Sequence, residues 1–385
     1  MLGGLSRTKC GPIALDVGAG GVRMLQLGRS GDKCHVVSAG RWPFPPTAQG
    51  YTADAQQQRQ MATHGIGELL RKGSFRGRDV VSCLQAAQMS IKNVRLPHMP
   101  EHELMNAVVW ECQERFGFDV SPDRVHYVNA GEVRQGAEVR DEIILIGVPA
   151  ETIAGHIEML SEAGLHPIHI DAEPACLFRT YQRFLRRAED ESVISVIVDI
   201  GVGATKVIIA RGSTIVLIKA IDIAGHQFNE SVASELGLSY DEAVHLRRRG
   251  LRGQPVGEAG AGPASDVEWS VFDAIRGQVQ ALAREISLCL RYCSVTFRGL
   301  RPQTITLAGG EAYDATMIRL LTEQLDCECT VGDPLRGINL GNVDLGGDRR
   351  GPLTEWSVAT GLAFRGLGSG VRTETTDDDG SRLSA

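Results

Sequence analysis

The sequence lacks any apolar run long enough to cross a membrane, and its N-terminus lacks the apolar core of a secretory signal peptide. It also lacks a basic excess, because 40 Lys and Arg stand against 47 Asp and Glu, a formal net charge of −7. A chain without a positive field attracts nucleic acid poorly, which argues against nucleic acid as the main partner. We therefore expect a cytoplasmic protein with no direct transmembrane segment.

The 9 cysteines are odd in number and include no CxxC pair of the kind typical of zinc sites. Cys289 and Cys293 lie four residues apart on a predicted helix, and Cys327 and Cys329 lie two apart on a predicted strand. A four-thiolate metal site is therefore one interpretation. Reduced cysteines, mostly in the core, fit the pattern better.

One arrangement of residues occurs twice. Residues 195–210 indicate a buried strand, a glycine turn and a returning strand, with Asp199 at the end of the first strand. Residues 13–27 follow the same order around Asp16, and both copies read Asp, apolar, Gly, small, Gly, small, any residue, basic. Such a turn brings backbone N–H groups to an anion with no Cβ in the way, and the carboxylate beside it can hold a metal or its waters. The duplication predicts two similar α/β domains that face one ligand.

A third glycine turn, Gly309-Gly310, lies between a predicted strand at 304–308 and a predicted helix at 316–325. A nucleoside can lie against bare backbone at such a place. Taken alone, an ordinary strand-to-helix turn is the better interpretation. The two hairpins upstream reverse that preference.

The interval between the hairpins contains a strand, helix, strand, strand, helix pattern, which predicts an inserted α/β subdomain at about 85–165. The first lobe is accordingly assigned to residues 11–190 and the second to 191–366, with a helical part at about 225–298. Residues 367–385 have no core-forming pattern and are predicted to be a disordered acidic tail.

These motifs resemble the actin, sugar-kinase and chaperone ATPase superfamily, whose members hold ATP between two duplicated domains. Within it, the chain is similar to the PilM family of actin-like type IV pilus assembly proteins, which is related to FtsA, over roughly residues 11–366. The likeness rests on residues 16–23, 100–107, 116–133, 160–167, 171–173, 199–205, 223–227, 236–243 and 358–363. Their order and spacing carry the resemblance, since no single motif is decisive.

The resemblance implies a two-lobed actin-like ATPase fold, ribonuclease-H-like and duplicated, with ATP and Mg²⁺ as cofactors. It implies firm nucleotide binding with slow or no hydrolysis. It further implies docking on the short cytosolic tail of a PilN-like bitopic inner-membrane protein, peripheral association with the inner membrane, and contact with pilus motor ATPases. The insertion at about 85–165 is the implied protein-contact region.

Site residues follow from the same resemblance. Asp16 and Asp199 would organise Mg²⁺ through waters, and Glu173 would orient water or the metal. An acid favoured by a helix N-terminus is an equally good interpretation of Glu173. The two hairpin turns would contact phosphates, Glu230 would reach the ribose, and the turn at Gly309 would flank the nucleoside. The cofactor-binding set is Gly18, Ala19, Gly20, Gly21, Arg23, Gly201, Val202, Gly203, Ala204, Thr205, Gly225, Glu230, Gly309, Gly310 and Glu311.

The chain departs from the family pattern at Ala19, where the family has serine, at Arg23, where it has lysine, and at Ala308, where it has the first of three glycines. These changes keep a nucleotide-independent actin-like scaffold open as the alternative. A small-molecule kinase of the same superfamily is less well supported, because no catalytic base can be nominated. FtsA has an amphipathic membrane-binding helix, the type II secretion relative a membrane helix and the chaperones a peptide-binding domain, none of which the sequence predicts.

Overall fold

The computed structural model describes residues 9–45, 55–185, 187–253, 266–297, 301–346 and 352–368, together with 375–376 and 382–383. Most of the predicted disordered tail therefore lies outside the described residues. Across the described part of the chain, no helix is both long and apolar enough to span a membrane.

In chain order the strands are β1 (Lys9–Gly18), β2 (Gly21–Ser30), β3 (Lys33–Pro43), β4 (Asp79–Leu84), β5 (Ser90–Pro97), β6 (Val125–Gln135), β7 (Glu138–Gly147), β8 (His166–Ala172), β9 (Ile194–Ile200), β10 (Thr205–Arg211), β11 (Thr214–Ile221), β12 (Thr304–Ala308), β13 (Glu328–Val331), β14 (Thr375–Thr376) and β15 (Arg382–Leu383). The helices are α1 (Ala55–Lys72), α2 (Glu101–Arg115), α3 (Ala150–Glu162), α4 (Glu173–Gln182), α5 (Gly225–Leu236), α6 (Tyr240–Gly253), α7 (Asp266–Thr296), α8 (Ala315–Leu325) and α9 (Ser357–Gly366).

Two five-stranded sheets share one topology. The first has the order β3-β2-β1-β4-β8 and the second the order β11-β10-β9-β12-β13. In both sheets the first three strands are antiparallel, and the remaining pairings are parallel. The prediction of a two-lobed, duplicated α/β fold is therefore confirmed. Asp16 and Asp199 take equivalent places near the ends of β1 and β9, the central strands of the two sheets.

Helices cover both faces of the sheets, which is why the central strands are apolar on both sides. On one face of the first sheet, α1 and α3 pack Ile66 and Leu160 against Ile13 and Leu15. Helix α7 packs a continuous apolar stripe against the second sheet; the stripe includes Ile275, Val279, Leu282 and Ile286. Helices α4 and α9 pack against each other and belong to the large core that spans both lobes.

The insertion forms a third sheet, of order β5-β7-β6, which packs one face on α2. Its other face joins the large core through Ala130 and Ile144. The buried carboxylate of Glu142 accepts hydrogen bonds from Arg95 at 2.9 Å and from Tyr292 of α7, which ties the insertion to the second lobe. The last helix of the predicted 85–165 span, α3, packs with α1 in the first lobe instead. The boundaries of the insertion and of the lobes stay predictions.

His156 of α3 is buried, and its Nε2 lies 2.7 Å from the hydroxyl of Ser82 on β4. Burial lowers the pKa of His156 from 6.5 to about 4. The unfolded chain therefore takes up this proton at a higher pH than the folded one. The contribution of the neutral His156 side chain to the free energy of unfolding is therefore fully present above pH 6.5. It is lost as the pH falls through about 4.

We predict that the free energy of unfolding of the wild type falls by about 2–3 kcal/mol more than that of His156→Gln between about pH 7.5 and about pH 4.5. Glutamine can hydrogen-bond Ser82 but does not titrate. Urea unfolding at the two pH values measures the difference. Equal losses in the two proteins would show that His156 does not carry the pH dependence.

Candidate functional site

The turns of the two hairpins face each other. The first is the tight turn between Gly18 and Gly21, which pair at the end of β1 and the start of β2. The second spans residues 201–204, between β9 and β10. A Cβ placed on Gly20 would lie 3.1 Å from Cγ2 of Val202, so the two tips touch. The structure thus brings together the two turns that the sequence assigns to phosphate.

Both turns keep backbone donors available. Among the described residues, no hydrogen bond takes the N–H groups of Ala19, Gly20, Val202, Gly203 or Ala204. Unpaired backbone N–H groups in glycine turns are of the type that binds anions.

The second turn is fixed against the start of α5. The N–H groups of Gly225 and His226 donate to the carbonyls of Gly201 and Val202 at 3.0 and 2.8 Å. The hydroxyl of Thr205 donates to the carbonyl of Ile223 at 2.6 Å, and Thr205 is fully buried. The side chain of Thr205 therefore anchors β10 to the segment before α5.

Three buried carboxylates, those of Asp16, Glu173 and Asp199, lie behind the turns. The ammonium of Lys206 lies 2.7 Å from Oδ2 of Asp199 and 2.9 Å from Oε1 of Glu173. The second oxygen of Glu173 accepts the N–H of Ala86 at 2.9 Å. Burial alone would lower the pKa of Lys206, but the two carboxylates overcome it and hold that pKa well above its ordinary value. Lys206 is therefore a permanent cation.

Asp16 has a weaker partner. Its Oδ2 lies 3.4 Å from Nη1 of Arg23, the basic residue at the end of the first repeat. Burial raises the pKa of Asp16 to about 6, which Arg23 opposes and Glu173 reinforces. The carboxyl of Asp16 therefore takes up a proton at a higher pH than an ordinary aspartic acid does.

The carboxylates are of the type that Mg²⁺ accepts, since this ion takes oxygen ligands and keeps several waters. The place beside Asp199 and Glu173, however, is taken by the ammonium of Lys206. A metal there would have to displace a buried side chain from two ion pairs. Asp199 and Glu173 therefore do not fit a directly bound Mg²⁺, and the water-mediated arrangement of Asp16 and Asp199 stays a prediction.

The third glycine turn lies against the second hairpin. Gly309 has φ +90°, and a Cβ on it would collide with the carbonyl of Ile200, so only glycine fits this position. A Cβ on Gly310 would meet no other described residue within 4 Å, its chain neighbours aside. Glu311 donates its N–H to the carbonyl of Ile200 at 3.1 Å, and its side chain lies against Gly225. The structure thus places Gly225, Gly309 and Glu311 together.

Arg247 of α6 lies among these residues and was missed by the sequence analysis. Its buried guanidinium pairs with Glu311 and donates to Oδ1 of Asn229 at 2.7 Å and to the carbonyl of Gly225 at 3.3 Å. It therefore contacts two residues of the predicted cofactor-binding set, Gly225 and Glu311. Glu230, which was assigned to the ribose, is 58% exposed at its side chain and lies 3.2 Å from Nε2 of His226.

Lys206 was missed as well, although the sequence held a signal for it. In the repeat, Lys206 occupies the position that Arg23 occupies in the first copy. The basic residue was assigned to the site in one copy only. Arg247 had no such signal, because an arginine on an amphipathic helix is ordinarily a surface residue.

Comparison with known proteins bears on the family and the fold. A family model described as type IV pilus assembly protein PilM matches residues 14–367. The solved structure of a PilM-PilN type IV pilus biogenesis complex is similar at 24% identity and a TM-score of 0.71, over 92% of this chain and 98% of that chain. Ethanolamine utilization protein EutJ from Carboxydothermus hydrogenoformans is similar at 11% identity and a TM-score of 0.54, over 92% and 89% of the two chains. The two-lobed fold is therefore shared with both.

Proposed function

Because the chain belongs to the PilM family of type IV pilus assembly proteins, we propose that it is an ATP-binding component of a pilus assembly complex, or of a related one, at the inner membrane. It docks on the short cytosolic tail of a PilN-like bitopic membrane protein. Through that partner it is held peripherally at the membrane. It hydrolyses ATP slowly or not at all.

ATP binding is supported chiefly by the pair of glycine turns. Five backbone N–H groups without a partner in the described chain line the two tips. Arg23 and Lys206 stand just behind them. Unpaired backbone N–H donors beside two cations suit the negative charge of a polyphosphate.

Slow hydrolysis is supported by the state of the carboxylates. A carboxylate held in an ion pair with a cation takes a proton from water less readily than an unpaired one does. Lys206 occupies one oxygen each of Asp199 and Glu173, and the N–H of Ala86 occupies the other oxygen of Glu173. Asp16 faces Arg23. The site therefore favours holding ATP over splitting it.

Partner docking is supported by the insertion and by the PilM-PilN complex among the similar structures. The insertion has a small hydrophobic core of its own, and Trp110 on α2 is 59% exposed. Exposed aromatic side chains are enriched at protein interfaces. Contact with pilus motor ATPases stays a prediction.

Calorimetry of the purified chain tests both halves of the proposal. We expect ATP to bind in the micromolar range, and we expect a peptide of the PilN-like cytosolic tail to bind as well. Trp110→Ala should weaken binding of the tail peptide and leave the affinity for ATP unchanged. A chain that binds ATP but no tail peptide would contradict the docking half.

A nucleotide-independent scaffold is the second candidate. It is favoured by the guanidinium of Arg247, which contacts Gly225 and Glu311 of the predicted cofactor-binding set, and by the contact between the two turns at Gly20 and Val202. The same titration decides: tail-peptide binding without ATP binding would establish the scaffold.

A further inference from the structure

Each hairpin carries its own cation opposite its own aspartate. Asp16 pairs directly with Arg23 across β1 and β2, and Asp199 pairs directly with Lys206 across β9 and β10. Residues in such directly opposed positions have neighbouring side chains. The duplicated sequence pattern therefore builds an internal counter-ion into both halves of the site.

The second counter-ion is the more firmly held. Lys206 is 8% exposed, and its ammonium contacts Asp199 and Glu173 at 2.7 and 2.9 Å. Lysine is almost never this buried unless it is paired. Its two contacts come from different elements, β9 and the first residue of α4, so the ammonium is fixed from two sides.

The ammonium of Lys206 lies next to the second glycine turn. Nζ of Lys206 lies 3.4 Å from where a Cβ on Gly201 would be, next to the turn at 201–204. An ammonium has three N–H donors, and the two carboxylates account for two of them. One donor of the ammonium is left over from the two carboxylates.

Two of the three negative charges of the cluster are offset by side-chain cations. Asp16, Glu173 and Asp199 are opposed by Arg23 and Lys206, so the cluster carries one formal negative charge. A dication bound at Asp199 would lie next to a buried ammonium, and like charges repel strongly where water is excluded.

We propose that Lys206 is a resident cation which takes the place of the divalent metal, so that this site binds a nucleoside triphosphate in its metal-free form. The inference rests on the proposed ATP binding and specifies the form of ATP that the site accepts. Mg²⁺ is then neither required for binding nor held by Asp199 and Glu173.

The test is calorimetric titration of the full chain with ATP in excess Mg²⁺ and again in excess EDTA. We expect the two dissociation constants of the wild type to agree within about threefold. A dissociation constant at least about tenfold weaker in EDTA would overturn the inference and leave ATP binding intact. Absence of binding in both buffers would overturn the proposed ATP binding together with this inference.

Variants at Lys206 sharpen the result. Lys206→Met should weaken binding in EDTA by about tenfold or more, and Mg²⁺ should restore part of it because the place of the ammonium is then open. Lys219→Met, which changes an exposed lysine of β11 in the same sheet, should behave as wild type in both buffers.

A second substitution guards against loss of folding, since Lys206→Met leaves two buried carboxylates without a cation. Lys206→Arg keeps the charge and should keep binding in EDTA. If that variant folds, as judged by its melting temperature, but needs Mg²⁺ for binding, the inference is wrong.

Discussion

Asp199→Ala should abolish ATP binding while the chain stays folded. The carboxylate of Asp199 is buried, holds Lys206 at 2.7 Å, and lies beside Gly309 of the third glycine turn. Its removal leaves Glu173 as the carboxylate partner of the ammonium, so the cation beside the turn is held from one side instead of two. We expect the affinity for ATP to fall at least about a hundredfold, measured by calorimetry in the presence of Mg²⁺.

The fold should survive because Lys206 keeps one carboxylate. Removing a partner from a buried pair is most damaging when the remaining charge has no other partner, and Glu173 still lies 2.9 Å from the ammonium. Asp222→Ala is the matched control, since Asp222 is an exposed carboxylate just after β11. It should bind ATP as the wild type does. An unchanged affinity in Asp199→Ala would mean that ATP, if bound, lies elsewhere.

The duplicated hairpins could be predicted from the sequence because their signal is local. An apolar run, an aspartate and closely spaced glycines fix a strand, a turn and a returning strand within about fifteen residues. The equivalence of Asp16 and Asp199 then followed from the repeat, and the two sheets confirm it through their identical order. Gly309 was predictable for the same reason, since its positive φ belongs to a tight strand-to-helix turn.

The partners of the site residues could not be predicted, because they depend on contacts between distant segments. Glu173 reaches Lys206 only when α4 lies beside the second hairpin. Arg247 reaches Glu311 only when α6 packs against the segment after β12. The hydroxyl of Thr205 was assigned to phosphate from its place in the motif, yet it donates to the carbonyl of Ile223. Each of these depends on tertiary packing, which periodicity does not encode.

The close approach of α4 and α9 leads to the largest expected effect on stability. Gly361 of α9 lies so near α4 that a Cβ on it would collide with the backbone carbonyl of Cys176. A backbone atom cannot move aside as a flexible side chain can. The guanidinium of Arg179 also donates to the carbonyl of Gly361 at 3.3 Å, so separating the helices would strain that contact too. We expect Gly361→Ala to lower the free energy of unfolding by about 3 kcal/mol or more, measured by urea unfolding.

Gly277→Ala provides the matched control, because Gly277 is a helical glycine of α7 whose added Cβ would meet no other described part of the chain within 4 Å, its own helix aside. There alanine should stabilise the chain by about 0.5–1 kcal/mol, since it reduces the freedom of the unfolded chain and favours the helix. The two substitutions add the same methyl group, so a difference in sign isolates the contact between α4 and α9. Because α4 begins at Glu173, Gly361→Ala should also weaken ATP binding, whereas Gly277→Ala should not. Equal effects on stability would show that the two helices can separate without cost, and Glu173 would then not be held in place by their packing.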